Sequence, residues 1–211
     1  MSTIAILGSG RVGTTLARKL ATAHDMTIGS RDPDKTSANW EGPSVKITDV
    51  AEAAQGASIV VNATPGVSSV ERLGALSTEL EGKILVDVSN AVDRGEVGEP
   101  GGLVYPNSSL AEHLQRALPQ TRVVKTLNTM LFTVMVDPAS LTTPATAFLS
   151  GDDEDAKGVV RDLLGGLGWT TEQILDLGGI STARGPEALM LLVPDILRVR
   201  GFAPFAVTVV A

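Results

Sequence analysis

The chain has 211 residues, of which 43% are hydrophobic and 19% charged, a composition that suits one folded domain with a short appendage and excludes general disorder. Its 17 Lys and Arg against 24 Asp and Glu leave a net charge of −7, which argues against nucleic acid or an anionic membrane as the main partner, since both select a basic surface. No cysteine and only two histidines exclude disulfides, thiolate metal sites and cysteine nucleophiles, and leave no His-rich metal site; with aromatics at 3%, any base-stacking platform would have to be tiny.

Residues 3–7 form a compact apolar run that ends in glycine, as a strand leading into a turn does. Residues 11–23 follow, with Val12, Leu16 and Leu20 at i, i+4 and i+8, a helical stripe. A second short strand is expected at 26–29, a weak third at 45–47, and a short helix at 49–54. Residues 58–62 are almost wholly apolar, as a strand buried on both faces should be. A helix over 67–80 and a fifth strand over 83–88 come next. The stretch 89–106 holds Gly95, Gly98, Pro100, Gly101, Gly102 and Pro106 and forms no regular element; it reads as a substrate-covering loop or as a surface insertion. A helix over 110–118, strands over 122–127 and 146–150, and a helix over 153–167 follow, the last with Asp153, Glu154 and Asp155 where the helix dipole prefers them. An eighth strand is expected over 170–175.

Such alternation predicts an α/β fold, a Rossmann-type doubly wound parallel sheet, with residues 1–175 as the nucleotide-binding domain and 176–211 as a small C-terminal helical appendage. Residues 182–200 leave little polar face, so this helix is expected to be buried on more than one side, kinked by Pro194, and packed partly against a second subunit as a homodimer contact. No apolar stretch reaches 18 residues and the opening residues carry no leader pattern, so a cytoplasmic protein with no membrane partner is expected.

Gly8-Ser9-Gly10-Arg11-Val12-Gly13 is a G-x-G-x-x-G, and its place between a strand and an amphipathic helix gives each glycine a task. Gly8 permits the tight turn, Gly10 lets backbone amides approach a diphosphate, and Gly13 lets the helix pack close to the sheet. The second strand ends Gly29-Ser30-Arg31, with no carboxylate to hold a ribose 2′-hydroxyl. Ser30 can donate a hydrogen bond, Arg31 offers a charged fork, and Lys35 adds a point charge, so a 2′-phosphate and hence NADP(H) is favoured over NAD. Asp32, followed by Pro33, reads as a helix cap facing away.

With these residues in place, the chain resembles the NADP-dependent oxidoreductases of the deazaflavin (coenzyme F420) reductase family. The matching pieces are the GSGRVG turn, Gly29-Ser30-Arg31 with Lys35, Ala63-Thr64-Pro65, Lys125-Thr126-Leu127-Asn128-Thr129, Ser150-Gly151-Asp152-Asp153, and the segment from Leu175 through Phe202. The resemblance implies NADP across the carboxyl edge of the sheet. Ser9, Arg11 and Val12 would lie at the diphosphate, and Ser30, Arg31 and Lys35 at the 2′-phosphate. Thr64 and Pro65 would pass along the adenosine and diphosphate side, Ser89, Asn90 and Ala91 would meet the nicotinamide ribose, and Asn128 and Thr129 would lie near the ring. It also implies a small-molecule co-substrate, coenzyme F420 or a flavin.

No catalytic side chain is assigned. Neither histidine stands at a strand's carboxyl end: His24 reads as a helix C-terminal capping charge and His113 as a solvated residue of a polar helix. Hydride transfer between two ring cofactors needs alignment and exclusion of water rather than a side-chain acid, whereas carbonyl reduction needs a proton donor. An NADPH-dependent imine or carbonyl reductase and a non-catalytic NADPH-binding regulatory module are the alternatives. The anionic tail of F420 would call for a basic patch, to which Arg184, Arg198, Arg200 and Arg94 are the candidates; Glu96 and Glu99 would oppose it.

Overall fold

Eight strands form one sheet in the computed structural model, which describes residues 2–93 and 101–210. The strands are β1 (Thr3–Leu7), β2 (Asp25–Gly29), β3 (Lys46–Thr48), β4 (Ile59–Asn62), β5 (Ile84–Asp87), β6 (Arg122–Thr126), β7 (Ala147–Ser150) and β8 (Ile174–Asp176), in the spatial order β3-β2-β1-β4-β5-β6-β7-β8. The helices are α1 (Arg11–Leu20), α2 (Pro33–Ala38), α3 (Val50–Gly56), α4 (Ser69–Gly74), α5 (Ser77–Leu80), α6 (Leu110–Ala117), α7 (Phe132–Met135), α8 (Glu154–Leu167), α9 (Arg184–Ala188) and α10 (Val193–Arg200). The first six strands are parallel in the order of a doubly wound dinucleotide-binding sheet, and the order reverses between β1 and β4. A crevice for a ligand is therefore expected beyond their carboxyl ends.

The sheet is not wholly parallel, as the alternation implied. β7 runs antiparallel to β6, and β8 follows β7, so the last two strands point the other way. The connection 127–146 holds only the four-residue α7 and a 3-10 turn, Pro138–Ser140. Neither is long enough to carry the chain back across the sheet, so β7 starts from the same edge at which β6 ends.

Each face of the sheet has its own core, because side chains alternate along every strand. Ile4, Ile6, Ile28, Val61, Val86 and Val124 meet α1 and α8 on one face; Ala5, Leu7, Val60, Leu85 and Val123 meet α3, α4 and α6 on the other. The expected helix over 67–80 is interrupted: a 3-10 turn, Gly66–Ser68, precedes α4, which stops at Gly74, a poor helix former, before α5.

The C-terminal segment is a chain of short pieces rather than one kinked helix: a 3-10 turn (Ile180–Ala183), α9, a second 3-10 turn (Leu189–Leu192) and α10. Pro194 lies in the first turn of α10, where its missing N–H breaks no helical bond, so it restarts the helix instead of bending it. No residue of α10 is buried, against the expectation of burial on several sides; Leu191, Leu192 and Val199 are 47%, 52% and 71% exposed. The chain then returns along the sheet edge. Leu131 N–H donates to the Phe205 carbonyl, Val207 N–H to that of Thr129, and Thr146 N–H to that of Val207.

Candidate nucleotide and hydride-transfer site

The opening turn is built from backbone against backbone. Gly8 has φ +115°, and a Cβ there would stand 2.7 Å from the Ala63 carbonyl oxygen. A Cβ on Gly13 would fall 1.9 Å from the Gly8 carbonyl oxygen, so only glycine lets α1 start this close to β1. A Cβ on Gly10 would meet nothing within 4 Å, and Gly10 caps α1 without a side-chain acceptor. The first turn of α1 thus has no side-chain cap at the positive end of the helix, the arrangement that suits a diphosphate. A dinucleotide fits this cradle. Arg11, in the same turn, lies 5.8 Å from the Phe202 ring centroid, so the C-terminal tail reaches over the turn.

At the end of β2 the Ser30 side chain is buried, and its hydroxyl lies 3.3 Å from that of Ser9 and 2.7 Å from that of Thr36. Its N–H donates to the Thr48 carbonyl, which fixes it on β3. Asp32 caps α2, its carboxylate accepting the Lys35 N–H at 3.0 Å, so it is spent inside the helix rather than aimed at the crevice. Arg31 and Lys35 are exposed on the rim beside this hydroxyl cluster.

The carboxyl ends of β4, β5 and β6 carry a polar network. Asn62 donates from its side-chain amide to Asp87 Oδ1 at 2.8 Å and to the hydroxyls of Ser69 and Ser89 at 3.1 Å. The Thr64 hydroxyl donates to Asn62 Oδ1 at 2.6 Å, and the Ser89 hydroxyl to Asp87 Oδ1 at 2.7 Å. Asn90 and Asn128 are joined twice: Asn90 Nδ2 donates to the Asn128 carbonyl at 3.0 Å, and Asn128 Nδ2 to Asn90 Oδ1 at 2.9 Å. Leu127, just before, has φ +60°, a left-handed conformation that costs a leucine energy and turns the chain sharply at the end of β6. Gly66 packs so closely on this layer that a Cβ would stand 2.2 Å from the Asn90 carbonyl oxygen.

Beneath Ser89 lies a buried ion cluster. Lys125 Nζ is 2.7 Å from Asp87 Oδ2 and 3.0 Å from Glu187 Oε1, and all three side chains are shut off from solvent. It also donates to the Ser89 carbonyl. Burial pushes the ammonium pKa down, but the two carboxylates outweigh it and hold it above the ordinary lysine value. Glu187 accepts in addition the N–H groups of Leu110 and Ala111, at 2.7 and 3.2 Å, at the start of α6. It therefore ties the C-terminal segment to the strand ends.

Over the network sits a cavity of about 300 Å³. Thr64, Pro65, Ser89, Asn90 and Asn128 line one side, and Val12 marks the end at the opening turn. Met130, Phe132, Met190, Val193, Leu197 and Phe205 form an apolar roof, the last four of them from the C-terminal segment. Of the residues singled out in the sequence, Ser9 and Ser30 adjoin each other away from this cavity, while Ala91 and Thr129 are buried and do not line it. The Thr129 hydroxyl is buried without a hydrogen-bond partner.

Several residues escape sequence reasoning: Thr36, Asn62, Gly66, Asp87, Lys125, Glu187 and most of the roof. A lysine and an aspartate inside otherwise apolar central strands were the available signal for Lys125 and Asp87; Glu187 has no local one. Two histidine expectations need correction. His24 caps nothing through Nδ1, which is buried and unpartnered. His113 stacks on Tyr105 with ring centroids 3.9 Å apart, and burial, then Arg116, lowers its pKa. The basic patch is also weaker than expected. Arg184 is engaged by Glu112 at 2.6 Å and Arg198 by Asp195 at 3.0 Å, while Arg94, Glu96 and Glu99 lie outside the described residues.

The comparisons with known proteins agree with this geometry. A family model described as NADP oxidoreductase, coenzyme F420-dependent, matches residues 3–91. A crystal structure of a candidate F420-dependent NADP reductase from Arthrobacter sp. FB24 is 41% identical, covers both chains in full and superposes with a TM-score of 0.92. The chain belongs to the F420-dependent NADP reductase family. It is an NADP(H)-binding oxidoreductase with a Rossmann-type fold. The family's F420-dependent NADP reductase from Methanocaldococcus jannaschii is 28% identical over 201 residues, 88% of each chain. The chain also matches the metalloreductase STEAP3 of Rattus norvegicus at 29% identity over 190 residues, 89% of this chain but only 36% of that protein's length. No helix among the described residues is long and apolar enough to cross a membrane.

Proposed function

We propose that this protein transfers hydride between NADPH and coenzyme F420 or a flavin-like acceptor, in the cytoplasm, with residues 1–175 binding the nucleotide and 176–211 completing the acceptor side. The carrying observation is the cavity itself: polar strand ends on one side, an apolar roof on the other, and no ionisable side chain among its described lining residues. Such a space suits two stacked rings and lacks the proton donor that a carbonyl substrate would need.

The nucleotide supplies the hydride; the protein supplies position. In this reading the amides of the turn around Ser9, Gly10, Arg11 and Val12 hold the diphosphate. Ser30, Arg31 and Lys35 hold the 2′-phosphate. Ser89, Asn90 and Asn128 present a shelf stiffened by the Asn90–Asn128 pair, so the reactive end has one orientation. Ala91 and Thr129 support that shelf from the core. The methionines, Phe132, Leu197 and Phe205 keep water from the reacting carbons. The exposed apolar side chains of Leu191, Leu192 and Val199 support a homodimer formed through the C-terminal helical segment.

The test is NADPH oxidation, followed by nicotinamide absorbance, with F420, with FMN, with a cyclic imine and with no acceptor. Turnover with F420 or FMN but not the imine supports the reading. Turnover with the imine alone would make the protein an imine reductase, and tight NADPH binding without any turnover would make it a regulatory module.

A further inference from the structure

We propose that Thr36 sets the preference for NADPH over NADH by fixing the proton of the Ser30 hydroxyl. The proposal rests on the reading of Ser30 and its neighbours as the 2′-phosphate site.

The local sequence Ser30-Arg31-Asp32-Pro33-Asp34-Lys35-Thr36 places the two hydroxyls together. Ser30 follows the second strand; Asp32 caps the next helix and Pro33 starts it with a preset φ. The Thr36 N–H donates to the Asp32 carbonyl at 3.0 Å, which closes the first turn. Thr36 Oγ1 then stands 2.7 Å from Ser30 Oγ.

A serine hydroxyl has one proton to give and two lone pairs to fill. At Ser30 the Asp32 N–H, 3.2 Å away, fills one lone pair and can do nothing else. The short contact from Thr36 fills the second when Thr36 donates. Ser30 must then direct its single proton elsewhere, to the Asp32 carbonyl at 3.2 Å or to the Ser9 hydroxyl at 3.3 Å. Both are long for O–H···O bonds, so the proton is weakly held and free to turn to an anion on the rim. With Thr36 donating, Ser9 is not drawn into Ser30 either, and both serines can donate to the same phosphate. Replacing the Thr36 hydroxyl by a methyl leaves a vacant lone pair on Ser30, and the proton of Ser9 turns inward to fill it. One bond to the 2′-phosphate is lost, although Thr36 itself touches no ligand. Thr36 is thus a positioning residue, and NADH, which carries no 2′-phosphate, is indifferent to it.

The experiment measures dissociation constants of NADPH and NADH by fluorescence titration for the wild type, Thr36→Val, Thr36→Ser, Ser30→Ala and the Thr36→Val/Ser30→Ala pair. Thr36→Val is expected to weaken NADPH about three- to tenfold, the range of one neutral hydrogen bond, and to leave NADH unmoved. Thr36→Ser restores the wild-type ratio. Because Thr36 acts only through Ser30, the substitution has no further effect in the Ser30→Ala background. An unchanged NADPH constant, equal losses for both nucleotides, or a full effect in the Ser30→Ala background overturns the inference. A wild type without preference for NADPH overturns the 2′-phosphate reading as well, and so separates the two failures.

Discussion

Lys125→Met removes the cation from a site where two carboxylates have little other countercharge. Asp87 and Lys125 are 0% and 1% exposed and Glu187 is 6%, so solvent cannot replace the ammonium. Breaking a buried ion pair from one side costs about 3–5 kcal/mol. Here the lower end applies, because Asp87 keeps the amide of Asn62 and the hydroxyl of Ser89, and Glu187 keeps two backbone N–H groups. A loss of about 3 kcal/mol in a chain of this size lowers the melting temperature by about 6–12 °C. Thermal and urea unfolding with NADPH absent are the assays. Adding Glu187→Gln should narrow the deficit at neutral pH, since it removes a charge left unpaired. In the wild type the raised lysine pKa keeps the cluster's contribution whole below the ordinary lysine range of about 10.4, and it is lost only as pH climbs past the folded value. A Lys125→Met protein that melts within about 2 °C of the wild type, against that scale, would refute the reasoning.

Arg31→Ala should weaken NADPH about ten- to a hundredfold, the range of a charge-assisted hydrogen bond, and spare NADH; equal losses in a binding titration would remove Arg31 from the 2′-phosphate. Gly13→Ala should abolish nucleotide binding while the sheet persists by circular dichroism, because its Cβ would sit 1.9 Å from the Gly8 carbonyl oxygen and α1 would have to move off the turn. Arg184, bonded to both carboxylate oxygens of Glu112, holds that pKa down at about 2. The pair's contribution is therefore present above the ordinary carboxylate value of about 4.3 and fades as pH falls toward 2. Arg184→Met should flatten that acid dependence in urea melts, with only a small loss of stability at neutral pH, since the guanidinium is half exposed.

The legible parts of this protein are those whose causes are local. A strand, three spaced glycines and an amphipathic stripe announce the diphosphate cradle, because the turn is made by backbone conformations that only nearby residues determine. Ser30, Arg31 and Lys35 lie within six positions of one another, and the cap formed by Asp32 is a bond across three. Apolar runs bounded by glycine and polar residues mark the strands, because burial on both faces of a central strand favours apolar side chains along most of its length.

The remainder required the folded chain. The reversal at β7 depends on a connection that never recrosses the sheet, a matter of path rather than of residue type. Lys125 meets Glu187 across 62 positions, and no periodicity links them. The roof over the cavity joins Phe132 to Leu197 and Phe205 from opposite ends of the second half. Apolar pattern shows that such side chains seek cover; only the tertiary arrangement decides that the cover is a shared ring-sized space above the strand ends. Amino-acid order thus settled the opening turn and the class of nucleotide through short-range geometry, while the roofed cavity arose from long-range packing, in which each surface exists only once the other is in place.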